Sequence, residues 1–598
     1  MAWLEDLRLD VEEAARNLRL AQRILAIRPD GAFTAADAIE ASVRRAPERI
    51  ALRFEERALT YRELDAGANR VARWARGERI AQGDVVALLM ESRPEYLMTC
   101  FGLAKVGAVT ALINSNLSGI PLAHSLRVSG ARQLVLGAEL AERCEPALAQ
   151  LEEKPRVWAQ GGGAAHAEDF DAALAAESGA AFDPAARRGL RANQNAFYIY
   201  TSGTTGLPKA ANFSHHRFLA TALGFGLGSD YGRDDCIYVA LPLYHSAGLA
   251  AAAGAALVAG SSVALARRFS ASGFWSDCVR HDATVFQYIG ELCRYLLAAA
   301  PHPDERRHRL RIAVGNGLRA DVWPAFQERF RIPRIVEFYG ATEGNISLVN
   351  TRGKVGAVGR VPRAFRKWVG VRIVRFDVER EEVVRGPDGF CVECAPGEAG
   401  ELLGVIRPRS LVRFEGYSDA RASEKKILRD VFERGDAYFR SGDLLRSDAD
   451  GHYYFVDRIG DTFRWKGENV ATGEVADVLA AFPGVREANV YGVRVPGMEG
   501  RAGMAALVAE PGRELDLAGL YAHVTKNLAA YARPLFLRLQ PELEVTGTLK
   551  HRKVGRIEEG FDPARVRDPL FFADAERKSY VALDAELHTR IASGDIRL

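Results

Sequence analysis

The chain has 598 residues, 48% of them hydrophobic and 26% charged, which indicates a globular protein with one large domain and at least one smaller one. Its 80 basic and 77 acidic residues leave a formal charge of +3, so the composition argues against a nucleic-acid partner. Seven scattered cysteines do not form the framework of a secreted disulfide protein, and we expect a cytoplasmic location.

The N-terminal segment, residues 1–25, is predicted to form an amphipathic helix, because acids and arginines interrupt its apolar positions, unlike those of a secretory signal. This helix could make peripheral contact with the inner face of a membrane or pack on the protein, and both interpretations stay open. The longest uncharged apolar stretch, Ser246 to Ala266, contains a Gly-Ser-Ser turn, so we predict a buried helix and a buried strand there rather than a membrane span.

Short β-rich runs alternate with helical stretches from about residue 51 to residue 140, and the rhythm returns between residues 236 and 340. The predicted strands are VVALLM, VTALIN, QLVL, CIYVALP, SVALA, TVFQYI, RIAVGNG and RIVEFYG. This pattern predicts mainly parallel sheets, in which ligands bind at the carboxyl ends of the strands.

The pattern changes in the C-terminal third of the chain. Residues 451–467 resemble a β-hairpin, and residues 468–530 are predicted to contain two helices and two strands. We therefore predict an α/β fold with a large, multi-lobed N-terminal domain, residues 1–457, and a small α+β C-terminal domain, residues 458–598.

The most informative segment runs from Tyr198 to Lys209 with the sequence YIYTSGTTGLPK. A loop rich in glycine and hydroxyl side chains can direct N–H and O–H donors at phosphate oxygens, and a terminal lysine adds positive charge. It is not a Walker A loop, which needs lysine directly after its second glycine, whereas Leu207 and Pro208 intervene here. The candidate residues for binding a triphosphate are Tyr200, Thr201, Ser202, Gly203, Thr204, Thr205, Gly206 and Lys209.

This string resembles the signature loop of the adenylate-forming superfamily, which includes acyl-CoA synthetases, firefly luciferase and the adenylation domains of peptide synthetases. Two further segments are similar to motifs of that family. By this resemblance His245, in LPLYHS, lines the carboxylate end of an acyl pocket. The loop formed by Gly315, Asn316 and Gly317 packs against adenine, since small residues let the main chain approach a flat base closely.

The segment FYGATEGN, residues 338–345, resembles the family motif Y-G-x-T-E. The resemblance implies that Tyr339 stacks on adenine, Thr342 contacts the α-phosphate and Glu343 binds Mg²⁺. One carboxylate is chemically sufficient, because Mg²⁺ keeps several waters and also takes phosphate oxygens. Asp443, in YFRSGD, is implied to accept hydrogen bonds from both ribose hydroxyls, and Arg458 to reach the ribose or the phosphates.

The segment VTGTLK, residues 545–550, resembles the C-terminal family motif whose lysine bridges the carboxylate and the α-phosphate. Lys550 is the catalytic candidate there, alongside Thr342, Glu343 and His245. The match is imperfect, since most of the superfamily has lysine directly after the Thr-Gly pair, and Lys553 is the alternative. Where that superfamily often has a charged hinge residue, this chain has Gly460, which permits the backbone change that a hinge between the two domains needs.

Several segments resemble the fatty acid transport protein and very long-chain acyl-CoA synthetase branch of the superfamily. They are YIGELCRYLL at 288–297, DRIGDTFRWKGENV at 457–470 and EGFDP at 559–563. The resemblance implies a long-chain or very long-chain fatty acyl-CoA synthetase, which converts ATP, a fatty acid and coenzyme A into acyl-CoA, AMP and pyrophosphate through an acyl adenylate.

Three alternatives stay open: a role in fatty acid uptake or trafficking, another acceptor for the acyl group, and a bile acid or branched-chain substrate. Acyl chain length and oligomeric state are not determined by the sequence. Phe286, Tyr288, Leu292 and residues 247–253 could line an apolar acyl tunnel, but a buried core would use the same residues.

Overall fold

A computed structural model describes residues 13, 15–16, 18–202, 207–362, 365–378, 380–407, 413–466, 468–496, 498, 500–543, 554–596 and 598. These residues fold into two compact units. The first contains the described residues of Met1–Arg360 and Val405–Leu428, and the second contains those of Val361–Gly404 and Arg429–Leu598. The domain division at residue 457 and the hinge at Gly460 stay predictions.

Among the described residues, sixteen strands precede residue 361. They are β1 (Ile50–Phe54), β2 (Arg57–Thr60), β3 (Val85–Leu89), β4 (Val109–Leu112), β5 (Gln133–Gly137), β6 (Arg156–Gln160), β7 (Glu168–Asp169), β8 (Asn195–Ser202), β9 (Pro208–Ser214), β10 (Cys236–Val239), β11 (Ser262–Leu265), β12 (Val285–Ile289), β13 (Ile312–Asn316), β14 (Arg334–Gly340), β15 (Ser347–Asn350) and β16 (Gly359–Arg360). All eight strands predicted in this region are confirmed, with ends that differ by at most three residues.

The α-helices follow in chain order along the described residues. They are α1 (Ala35–Arg45), α2 (Tyr61–Gly77), α3 (Pro94–Val106), α4 (Gly119–Ser129), α5 (Ala141–Leu148), α6 (Phe170–Ala175), α7 (His215–Gly228), α8 (Ala255–Ala259), α9 (Phe274–Arg280), α10 (Gly290–Ala298), α11 (Val322–Phe330), α12 (Arg366–Val369), α13 (Ala420–Glu424), α14 (Thr472–Ala480), α15 (Leu517–Asn527), α16 (Val554–Glu559) and α17 (Ala585–Ala592). Thr34 and Thr60 begin α1 and α2 with capping boxes, which satisfy amide groups that have no partner within the helix.

The first sheet has seven strands in the order β7-β6-β5-β3-β4-β8-β9. Neighbouring strands are parallel except β8 and β9, which form an antiparallel hairpin. Parallel strands need crossover connections, and helices such as α3, between β3 and β4, supply them here. The carboxyl end of β8 therefore leads directly into the predicted phosphate loop.

The second sheet has eight strands in the order β15-β14-β13-β12-β10-β11-β1-β2. Its six inner strands are parallel, and β2 and β15 pair antiparallel at the two edges. The segments that follow β10, β13 and β14 therefore lie at the same edge of the sheet. They carry His245, Gly317 and Thr342.

The apolar stretch from Ser246 to Ala266 folds as predicted. A π-helix, Ala247–Gly254, continues as α8 and leads to β11, and both the helix and the strand are largely buried. Among the described residues no helix is long and apolar enough to cross a membrane. Near the N-terminus residues 18–26 are helical, and the buried side chains of Ile24 and Ile27 pack this segment on the protein.

From residue 371 onward, the described part of the second unit has fourteen strands, counting β21, which begins two residues before that unit resumes. They are β17 (Val371–Val374), β18 (Phe376–Asp377), β19 (Glu382–Val383), β20 (Gly400–Val405), β21 (Ile427–Arg429), β22 (Ala437–Ser447), β23 (His452–Arg458), β24 (Phe463–Trp465), β25 (Glu468–Val470), β26 (Val485–Val493), β27 (Ala502–Ala509), β28 (Phe536–Leu539), β29 (Leu570–Asp574) and β30 (Ser579–Ala582). The last five form a sheet of their own in chain order, and with α14 and α15 they confirm the predicted α+β unit.

The hairpin predicted over residues 451–467 is wrong, because its two strands pair with other partners. Strand β23 pairs antiparallel with β22, and β24 pairs with β25. The actual turn before β23 is Asp448-Ala449-Asp450-Gly451, in which Gly451 has a φ of 84° and the Asp448 amide donates to the His452 carbonyl oxygen. Turns rich in Asp and Gly favour this geometry, and β22 offers eleven residues for pairing.

Candidate active site

The phosphate loop connects β8 and β9, and the hairpin brings its two ends together. Thr201 and Lys209 are direct partners across the two strands. Tyr200 is buried, and its hydroxyl donates to the carbonyl oxygen of Ser125 at 3.0 Å, so its role in the structure is to fix the strand. The predicted residues 203–206 and the side chain of Ser202 lie outside the described part of the chain.

Tyr417 connects this hairpin to the Y-G-A-T-E-G segment. Its hydroxyl donates to Glu343 Oε1 at 2.9 Å, and the Nζ atom of Lys209 lies 5.8 Å from the centre of its ring. The amide of the preceding Gly416 donates to the carbonyl oxygen of Glu343 at 3.1 Å. The sequence pattern did not identify Tyr417, since a tyrosine in a polar loop has no distinctive periodicity.

The two carboxylate oxygens of Glu343 differ in their hydrogen bonds within the described part of the chain. Oε1 accepts from Tyr417, whereas Oε2 has no hydrogen-bond partner among the described residues. Burial and the neighbouring carboxylate raise the pKa of Tyr417, so its hydroxyl remains a donor at physiological pH. An oriented monodentate carboxylate fits Mg²⁺, which needs few protein ligands when phosphate oxygens and waters complete its shell.

Arg217, on α7, holds the backbone around Thr342 and Glu343. Its guanidinium donates to the carbonyl oxygens of Ala341 at 2.7 Å and of Gly344, and also to that of Arg413 at 3.0 Å. Burial lowers the pKa of this arginine, and Glu343 is among the carboxylates that act against the shift. Sequence reasoning missed Arg217 because it stands in an ordinary helical stretch.

The segment after β10 meets the same region through Ser246. Its hydroxyl lies 3.2 Å from that of Thr342, which places His245 next to a residue in contact with Thr342. The ring of His245 packs on Tyr244, whose hydroxyl accepts from Asn116 at 3.0 Å. His245 and Thr342, predicted from separate motifs, are therefore brought together, and Ser246 is an additional polar group between them.

Glu337 on β14 holds the loop that follows β13 through hydrogen bonds. The carboxylate of Glu337 accepts from the amides of Gly317 and Leu318 and from the hydroxyl of Tyr288. Burial raises the pKa of Glu337 to about 8, although these three donors oppose the shift. These hydrogen bonds fix the backbone of the predicted loop, and Tyr339 lies two residues beyond Glu337 on the same strand. An acid within the apolar run RIVEFYG was the available signal for Glu337.

Stability is expected to fall as the pH rises because of Glu337. The pKa of Glu337 in the folded protein lies above its ordinary value of 4.5. Its contribution to stability is therefore fully present below pH 4.5 and is lost progressively as the pH rises to about 8. One proton gives at most about 1.4 kcal/mol per pH unit. Between pH 6 and pH 8 the free energy of unfolding of the wild type should therefore fall by about 2 kcal/mol relative to that of Glu337→Gln. Urea unfolding at both pH values checks this, and parallel pH profiles would contradict it.

Asp443 and Arg458 form a pair within the second unit. They are direct partners on β22 and β23, and Arg458 Nε lies 3.8 Å from Asp443 Oδ1. Gly442 has a φ of 77°, a conformation that favours glycine in the Ser-Gly-Asp segment. Asp457, the residue before Arg458, is buried and accepts hydrogen bonds from both the amide and the hydroxyl of Thr472. The sequence-predicted ribose contacts are thus adjacent to each other.

The remaining candidates divide into two groups. Lys550 and Lys553 lie outside the described residues. Phe286, Tyr288 and Leu292 are fully buried in one apolar cluster with aromatic side chains of α9 and α11, so they belong to the packed core.

The family of the chain follows from comparison with known proteins. A sequence profile described as AMP-binding enzyme matches residues 39–413, and one described as AMP-binding enzyme C-terminal domain matches residues 474–550. The chain belongs to the AMP-binding enzyme family. Long-chain fatty acid transport protein 1 of Mus musculus is 45% identical over 568 residues, which span 94% of this chain and 87% of that protein. The chain therefore also belongs to the long-chain fatty acid transport protein family, as the resemblance implied.

Solved structures share the fold at low sequence identity. The anthranilate CoA ligase AuaEII in complex with anthranoyl-AMP has a TM-score of 0.75, and ATP-bound MatB from Rhodopseudomonas palustris one of 0.73. Both are 23% identical, cover 88% of this chain, and are themselves covered over 96% and 99% of their length. The predicted fold class is confirmed, and this family member has the fold of adenylate-forming ligases.

Proposed function

We propose that this chain is an AMP-forming acyl-CoA synthetase for long-chain fatty acids. The observation that carries the proposal is the position of Tyr417, whose ring and hydroxyl join Lys209 of the phosphate loop to Glu343. A cation and a carboxylate held on one buried aromatic residue suit a triphosphate with its divalent metal. The name of the Mus musculus relative supports a long-chain fatty acid as the substrate.

In the first half-reaction the fatty carboxylate attacks the α-phosphorus of ATP, an acyl adenylate forms, and pyrophosphate leaves. Positioning and charge stabilisation are sufficient for this step, and no protein nucleophile is needed. Lys209 would contact the phosphates, Thr342 the α-phosphate, and Glu343 would hold Mg²⁺ through Oε2. Mg²⁺ held there would supply positive charge to offset the charge that develops on the phosphate oxygens. His245, beside Ser246, would line the carboxylate end of the acyl pocket.

In the second half-reaction the thiol of coenzyme A attacks the acyl carbon, a thioester forms, and AMP leaves with the electron pair of the broken anhydride bond. Asp443 would accept hydrogen bonds from the ribose hydroxyls, and the adjacent Arg458 would donate to the ribose or phosphates. Residues 458–598 would rotate about Gly460, present Lys550 for adenylation, and then present another face for thioester formation.

The assay for this proposal uses purified protein, ATP, Mg²⁺ and fatty acids from short to very long, with and without coenzyme A. We expect AMP and acyl thioester to form only when coenzyme A is present, with the highest kcat/KM for long chains. Pyrophosphate without thioester would indicate another acceptor. Absence of turnover with every acid would contradict the fatty acyl assignment, and turnover with branched or bile acids would replace it.

Lys209→Gln separates a synthetase from an uptake or trafficking protein. Loss of the phosphate-loop cation should lower kcat/KM for acyl-CoA formation by about 10-fold to 100-fold, because one charge that stabilises the transition state is removed. Lys425→Gln, an exposed lysine of the same unit, is the control and should retain activity. Cells that express the Lys209→Gln protein should take up labelled fatty acid at the rate of vector controls. Undiminished uptake by this variant would favour a carrier.

A further inference from the structure

Three residues on adjacent strands form a row at the carboxyl end of the second sheet. We call it the polar row, because the residues at its two ends have polar side chains. Tyr288 of β12 is paired with Gly315 of β13, and Gly315 is paired with Glu337 of β14. The row directly below it consists of Phe286, Ala313 and Ile335, which are apolar and buried. Because side chains two residues apart share a face of the sheet, the polar row continues that apolar face towards the candidate site.

The central glycine makes the row possible. A Cβ atom at Gly315 would overlap the carbonyl oxygen and the ring of Tyr288. Without this atom, the Tyr288 ring lies across β13 and its hydroxyl donates to Oε2 of Glu337, one strand further on. Packing against Tyr288 therefore accounts for a glycine at this position independently of any ligand.

The other carboxylate oxygen of Glu337 acts on the chain that follows β13. Oε1 accepts from the amide of Gly317 and, at 3.2 Å, from that of Leu318. Gly317 is exposed and has a φ of 79°, whereas Leu318 is buried. Two successive amides directed at one carboxylate oxygen fix the path of this loop.

We propose that Tyr288, Gly315 and Glu337 form a latch that holds the loop Gly315–Leu318 in the conformation that receives adenine. The three are positioning residues, since they act on ATP through the backbone of the loop. The proposal rests on the proposed function, because adenine is a ligand only if the chain binds ATP. It also gives Tyr288 a part in positioning the nucleotide, whereas the sequence left open an acyl tunnel or a buried core.

The test compares three variants in binding a non-hydrolysable ATP analogue by calorimetry. Glu337→Leu leaves the amides of Gly317 and Leu318 without their common acceptor and should weaken binding by about 10-fold or more. Glu337→Gln keeps an acceptor for both amides and should remain within about threefold of the wild type. Tyr288→Phe frees the carboxyl group from its second anchor and should weaken binding by about threefold to 10-fold, with the KM for fatty acid unchanged.

Tyr238→Phe is the matched control for the loss of a buried hydroxyl. Tyr238 lies on β10 of the same sheet, and its hydroxyl donates to an acid, Asp277, at 3.0 Å. The Tyr238→Phe variant should lose about as much stability as Tyr288→Phe while binding the ATP analogue normally. A weakened affinity in this control as well would mean that general destabilisation, and not the latch, sets ATP affinity.

Hydrogen exchange at the amides of Gly317 and Leu318 tests the latch itself. Exchange should accelerate in Glu337→Leu and Tyr288→Phe, and remain slow in Glu337→Gln and Tyr238→Phe. Unchanged exchange in the first two variants overturns the latch, and so does a shift in acyl chain preference of Tyr288→Phe with normal ATP affinity. If the wild type binds no ATP analogue, the proposed function fails, and exchange alone then decides whether the loop is latched.

Discussion

Glu343→Gln is expected to lower the rate of acyl adenylate formation by about 10³-fold. Glutamine keeps the size of the side chain and can still accept from the Tyr417 hydroxyl, but it removes the negative charge that would hold Mg²⁺ through Oε2. The backbone of this residue stays fixed through Gly416, so the variant should fold. The measurement is single-turnover formation of pyrophosphate at saturating ATP and fatty acid.

A binding measurement keeps this result independent of turnover. Electron paramagnetic resonance should show that Mn²⁺ binds the wild type in the presence of the ATP analogue, and that the variant binds it at least 10-fold more weakly. Glu328→Gln, an exposed glutamate on α11, is the control and should behave as the wild type. Normal Mn²⁺ affinity in Glu343→Gln would remove Glu343 from the metal site.

Lys550→Ala is expected to produce a comparable loss, of about 10³-fold, but only in the first half-reaction. A cation near the α-phosphorus stabilises charge as the carboxylate attacks, and this stabilisation has no counterpart when the thiol attacks the finished adenylate. Formation of acyl-CoA from synthetic acyl adenylate should therefore stay within about threefold of the wild type. The two half-reactions are measured separately, by pyrophosphate release and by thioester formation.

Lys553→Ala is the matched comparison, since the two lysines lie three residues apart in the same segment. If Lys550 is the catalytic residue, Lys553→Ala should adenylate normally. The reverse pattern would assign the role to Lys553. Full adenylation activity in both variants would refute the resemblance of VTGTLK to the family motif.

Local patterns determined much of the fold. The apolar runs from Val85 to Gly340 became strands of two mainly parallel sheets, because a run of apolar residues followed by a polar turn is consistent with few other structures. The failed hairpin at 451–467 shows the limit of this reasoning. Both predicted strands exist as β23 and β24, but they do not pair with each other. Strand pairing depends on which neighbour provides a suitable turn and a longer edge, and for β23 that neighbour is β22.

For the candidate site, the sequence by itself determined which segments are candidates to carry the chemistry. The strings around Lys209, Glu343 and Asp443 each combine residue types that suit phosphates, a metal and a ribose, and the comparisons with known proteins confirm the family that these strings implied. These properties are local, because the side chains and backbone needed for each ligand group lie within a few consecutive residues.

Only the tertiary structure revealed the residues that hold those segments together. Tyr417 is 74 positions from Glu343, and Tyr288 and Glu337 are 49 positions apart, so no local periodicity connects either pair. The Tyr288–Glu337 contact arises because parallel strands bring distant segments to one edge of a sheet, whereas Tyr417 reaches Glu343 from a loop that pairs with Ala211 of β9. In both cases burial favours a partner for the polar groups. The sequence therefore determined the family and the candidate residues of the site, and packing decided which other residues hold them in position.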